Sequence, residues 1–176
     1  MATAQYARPV RGRTGTPVIT SAVAGVLGAT MIAGMMFGLM QMIVEALIGH
    51  GFWSPLQYIA SVFTRGAAVN PGFSLGPVIV GLGGHMMNSM ILGAVFAMVV
   101  WKLVRNPVVL ALLGMMWGAA VWAFMWFAVI PTIDPAMKLL NAPWFFGAHL
   151  VFGMVLGLGI ALAQRVAQRR QPAGTQ

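Results

Sequence analysis

Cysteine is absent from this chain and acidic residues nearly so: Glu45 and Asp134 are its only carboxylate side chains. The first absence removes disulfides, thiolate metal sites and Cys nucleophiles. The second restricts paired-carboxylate chemistry to a fold in which both acids meet. Charge of either sign is also scarce, at 7% of 176 residues, while 60% are hydrophobic. Soluble domains carry about 25% charged residues. Ten bases and two acids cannot cover a water-exposed surface, so a soluble globular fold is excluded. No Walker loop, dinucleotide fingerprint, Ser-centred triad or zinc-protease helix occurs. Gly81-x-Gly83-Gly84 opens an apolar run and is not a phosphate cradle.

What the chain does contain is long apolar runs. The first extends over about 18–48 and is broken only by Glu45; the others cover about 76–101, 107–130 and 144–163. Each reaches the length of about 20 residues that a helix needs to cross a hydrocarbon core of about 30 Å. The expected fold is an all-α membrane protein with four transmembrane helices. The first run is about twice the length of a signal-peptide h-region, so it is expected to be a retained anchor. Residues 1–17 and 171–176 are expected to be tails.

A net charge of +8 would suggest nucleic acid in a soluble protein. Here the bases lie at the ends of apolar runs and act as topology signals. Arg8, Arg11, Arg13, Lys102, Arg105, Arg165, Arg169 and Arg170 fall on one side, against Arg65 and Lys138 on the other. Both termini are therefore expected in the cytoplasm, and the expected partner is the lipid bilayer, with no nucleic acid. The outer connection over 49–75 mixes Phe52, Trp53, Leu56, Tyr58 and Phe63 with polar residues, and Ser54-Pro55 suits a helix start. A short interfacial helix is expected there. Asn70-Pro71-Gly72 then turns the chain back, and Pro131 to Pro143 forms a smaller second outer loop.

The two halves resemble each other. Gly34-Met35-Met36-Phe37-Gly38 is matched by Gly114-Met115-Met116-Trp117-Gly118, at an offset of 80 residues. His85, Ser89, Gly93 and Ala97 are matched by His149, Gly153, Gly157 and Ala161, at an offset of 64. Two spans per half imply parallel two-helix repeats about an axis along the membrane normal. Residues four apart share a helix face, and small ones let helices approach in lipid. Gly34, Gly38, Gly114, Gly118, Ser89, Gly93, Gly153 and Gly157 are the expected packing positions of a four-helix bundle.

Phe146-Gly147-Ala148-His149-Leu150-Val151-Phe152, with Gly84-His85 as its counterpart in the first half, resembles the YagU-type family of uncharacterised bacterial inner-membrane proteins. That likeness implies an inner-membrane location. Ala148 separates the second Gly from its His, a departure from the pattern.

Few polar residues remain to carry chemistry. Glu45 lies inside a span, where a carboxylate is costly; it is expected as a proton site or metal ligand, or else bonded to loop groups or water. His85 and His149 are expected at similar depth, pointing at the bundle axis. Such a pair can ligate the iron of haem b or, with His50 and Glu45, copper or zinc; alternatively each ring bonds a carbonyl. Fifteen methionines suit Cu(I) but also serve as pliant packing. The composition favours a non-catalytic integral membrane subunit or scaffold that packs against partner membrane proteins or a second copy. A haem- or metal-binding electron-transfer or sensing subunit using His85 and His149 is the alternative. A small channel or transporter is the third class, and it lacks the charged mid-membrane residues that such proteins use.

Overall fold

The structure, a computed structural model, describes residues 16–64, 72–133 and 135–170. Among them every regular element is helical. The helices are α1 (Thr16–Leu47), α2 (Ser54–Thr64), α3 (Leu75–Val100), α4 (Pro107–Thr132) and α5 (Ala142–Arg169). All but α2 are long and apolar enough to cross a membrane. Their outward faces carry exposed Met35, Ile79, Met116 and Leu162, side chains suited to lipid and not to water. The expected tails, Arg65, the Asn70-Pro71 turn and Asp134 lie outside the described residues.

Local chemistry sets the helix ends. Asn106 caps α4, its Oδ1 accepting from Val108 N at 2.9 Å and Val109 N at 3.2 Å, with Pro107 at the first position. Asn141 caps α5 by accepting from Trp144 N. Gly49 follows α1 at φ +88°, a left-handed conformation that favours glycine. α5 continues past its apolar run to Arg169 because Gln164 has partners inside the fold: its Nε2 donates to Trp101 O at 3.0 Å and Val104 O at 2.9 Å, carbonyls left open where α3 ends. Arg170 donates to Ser21 Oγ, so the start of α1 and the end of α5 lie together at the basic end.

Proline shapes α4. Its stretch Met125–Val129 is π-helical, with Ile130 N bonded to Met125 O. The next carbonyl in that register, Trp126 O, would take its proton from residue 131, and Pro131 has none. Lys138 supplies it instead, from Nζ at 3.0 Å, while lying over the Trp126 ring. Lys138 stands on a 3-10 turn, Pro135–Leu139, which leads into α5.

The spanning helices pack in the order α3–α1–α5–α4, with extensive contacts along that series and only slight contact between its two ends, α3 and α4. α2 lies on α3. Small residues make the close approaches. A side chain at Gly118 would meet the carbonyl of His149, one at Gly114 that of Gly153, and one at Gly157 that of Leu110. A side chain at Gly34 would stand 2.8 Å from Ser89 Cβ, one at Gly38 3.2 Å from His85 Nε2, and one at Gly93 would meet Thr30. Gly81 receives the backbone of Leu56, which seats α2. The α1–α5 seam closes on Gly25 against Ala163 and Gly159 against Ala29.

Candidate functional site

Where α3 and α4 part, they leave a cavity of about 470 Å³. Its floor is α1 and α5, through Phe37, Phe145, His149 and Phe152; its walls are α3 and α4; its roof is α2, through Ile59, Val62 and Phe63. The π-helical stretch contributes Met125 and Val129. Phe63, Met87, Phe124 and Ile133 line the cavity and are each about 60% exposed, so its mouth is an apolar rim. An opening of that composition communicates with hydrocarbon, not with water.

Polar groups in the wall are few: His85, Asn88, Ser89 and His149. The two histidines line one cavity and are bridged by the ring of Phe37, which stacks on His85 at 5.3 Å and meets His149 edge-on at 4.7 Å. Phe145 covers His149 from another side at 4.5 Å. Each ring is held by a helix carbonyl. His85 Nε2 bonds Gly34 O at 2.8 Å, and His149 Nδ1 bonds Phe145 O at 2.8 Å. A carbonyl only accepts, so those two nitrogens carry hydrogen. His85 Nδ1, His149 Nε2 and the Asn88 amide have no hydrogen-bond partner among the described residues, whereas Ser89 donates to His85 O.

Glu45 and His50 lie elsewhere, so the four-residue ligand set His50, Glu45, His85 and His149 is not assembled. Among the described residues no three His, Asp or Glu side chains could hold a metal ion together. The reason is axial distance: Glu45 is eight residues beyond Phe37 on α1, a rise of about 12 Å. Its buried carboxylate accepts from Asn141 N at 3.1 Å through Oε1 and pairs with His50 Nδ1 at 2.7 Å through Oε2. Gln41, one turn earlier, donates to Trp144 O at 3.0 Å. Gln41 and Glu45 thus tie α1 to the start of α5. Burial first, and then the nearby Glu45 carboxylate, push the Tyr58 hydroxyl above its ordinary pKa, with Ser54 opposing. That phenol remains protonated beside the carboxylate.

A haem fits this cavity poorly. The space joining the two imidazoles holds the Phe37 ring, and no basic side chain lines the wall to meet propionates. Copper has more in its favour, since the thioethers of Met87, Met125 and Met137 line the same space.

Sequence reasoning singled out both histidines but not the cavity that joins them. The Ile59, Val62, Phe63 face of α2, at helical spacing, was a legible sign of burial against something; Pro131, which goes with the π-helical stretch, was another. No family model, curated protein or solved structure matches the chain.

Proposed function

We propose that this is a non-catalytic, multi-pass membrane protein that holds a lipophilic ligand, drawn sideways from the bilayer, in the cavity between α3 and α4. The observation that carries the proposal is the cavity itself: about 470 Å³, apolar, rimmed by exposed hydrophobic residues. Ligand pockets measure about 300–1,000 Å³. Its mouth is open between exposed hydrophobic side chains, so a membrane-soluble guest can enter from the side.

We also infer that the halves are duplicates, and that the cavity is the copy of a seam. Three contacts correspond at the offsets of 80 and 64: Gly34 to Ser89 with Gly114 to Gly153, Gly38 to His85 with Gly118 to His149, and Thr30 to Gly93 with Leu110 to Gly157. By the same offsets the closed α1–α5 seam corresponds to the open α3–α4 face. Phe145 and Phe152, which fill the seam, have Gly81 and Asn88 as counterparts; Gln41 and Glu45, which tie it, have Val121 and Met125. The small Gly159, Ala163 and Ala29 have Val95, Val99 and Val109, larger branched residues that are exposed in this structure. Aromatic filling, polar ties and small residues are all lost from one copy.

Asn88→Phe, which restores the aromatic counterpart of Phe152, is expected to narrow the cavity. Uptake of octylbenzene by purified protein in nanodiscs, followed by calorimetry, should be measurable in the wild type and weaker in the variant. Equal uptake by both would overturn the cavity proposal.

For orientation, the eight-to-two distribution of bases supports cytoplasmic termini, and the YagU-type resemblance supports a bacterial inner membrane. Because the chain has no cysteine, single-cysteine labelling is clean. Leu103→Cys, in the α3–α4 turn, is expected to be shielded from an impermeant thiol reagent in intact cells, and Phe73→Cys to label. The reverse pattern would invert the topology. Association with partner subunits is the second reading, favoured by Gly28, Gly83 and Gly147, whose outward sides meet nothing within 4 Å and leave room for a foreign helix.

A further inference from the structure

We propose that the cavity's ligand carries a hydroxyl head, an alcohol or phenol on a lipophilic body, bound by Asn88 and by one imidazole of the His85 and His149 pair. The proposal rests on the cavity reading above and adds the chemistry of the guest.

The two imidazoles are fixed in complementary tautomers. Gly34 O holds a hydrogen on His85 Nε2 and Phe145 O holds one on His149 Nδ1. In the neutral ring the remaining nitrogen is a bare acceptor. The wall therefore offers two acceptors, His85 Nδ1 and His149 Nε2, with no donor from the described residues to meet them. Asn88, on the same wall, adds an amide with two donor hydrogens and an acceptor oxygen, also unpartnered. His149 is buried and His85 half-buried, where an unmet ring nitrogen favours a guest that can donate to it; Asn88 is exposed at the cavity and free to turn toward that guest.

A hydroxyl meets more of the set than any other single head. It donates to one of the two imidazole nitrogens and accepts from the Asn88 amide. A carbonyl or ether head only accepts, and leaves both imidazoles unmet. A carboxylate accepts only, and no cation lines the cavity to receive its charge. A hydrocarbon leaves every group unmet. Both His85 and His149 pack against Phe37, so the ring of a phenol can lie against that phenyl group while its hydroxyl reaches one imidazole.

The test is a head-group series on one body, measured by calorimetry with the full chain in nanodiscs: 4-octylphenol, 4-octylanisole, 4-octylbenzoate and octylbenzene. The phenol is expected to bind roughly tenfold more tightly than the anisole, which corresponds to one or two hydrogen bonds. That preference should fall to about twofold in His149→Phe and in Asn88→Leu. Equal affinity for phenol, anisole and octylbenzene would overturn the hydroxyl proposal and leave the cavity reading standing. No binding by any of the four would overturn the cavity reading itself. Tightest binding by the benzoate would also overturn the proposal, since a carboxyl and not a hydroxyl would then be the preferred head. A separate titration with Cu(I) alone covers the thioether-lined alternative. Stoichiometric binding lost in His149→Phe but retained in Asn88→Leu, with no phenol preference, would assign the site to a soft metal instead.

Discussion

Gly157→Ile is expected to lower the thermal unfolding temperature in detergent by about 10 °C, from a loss of about 3 kcal/mol. A side chain at Gly157 would run into the backbone carbonyl of Leu110 and stand 3.0 Å from Ala111 Cα. The obstacle is main chain on a neighbouring helix, which cannot rotate away, so α4 and α5 must separate along their whole contact. Gly118→Ile is expected to behave alike, because its obstacle is the carbonyl of His149. The matched controls are Gly28→Ala and Gly147→Ala, where nothing lies within 4 Å. Those two should unfold within about 2 °C of the wild type, since surface changes away from packing cost at most about 0.5 kcal/mol. Wild-type stability in Gly157→Ile and Gly118→Ile would mean that α4 and α5 are not in contact.

The second large effect concerns Glu45. Glu45→Leu is expected to cost about 2 kcal/mol, because the half-buried Asn141 N–H loses its acceptor. His50 also loses its partner, but its side chain is 46% exposed and can turn to water, so it contributes less. Glu45→Gln keeps an oxygen for Asn141 and should recover at least half of the loss. Thermal unfolding of the two variants side by side measures the difference. If Glu45→Gln is as damaging as Glu45→Leu, the charge itself matters and the hydrogen-bond account fails. Neither variant should change octylbenzene uptake, since Glu45 does not line the cavity.

The two effects differ in how far they were legible beforehand. Gly157 belongs to a run of small residues four apart, and periodicity in one strand of sequence is enough to assign such residues to one helix face. The role of Glu45 was open between ligand and loop contact. Its partner Asn141 is 96 residues away, and nothing in the local pattern of α1 specifies which loop will fold back on it.

Composition and periodicity alone determined that the chain is helical, that four helices can span a membrane, and which small residues share a helix face. These properties follow from run length, charge and spacing, which are local. The cavity follows from something else. His85 and His149 were readable as a matched pair, but whether their surroundings are filled depends on four helices at once: α1 and α5 close on Gly25, Ala29, Gly159 and Ala163, while α3 and α4 remain apart. The same holds for the roof, where Gly81 admits the backbone of Leu56 and brings Ile59 and Phe63 over the opening. Only the tertiary structure decided where empty space lies, because a void belongs to no residue and is the volume that several packed surfaces together fail to occupy.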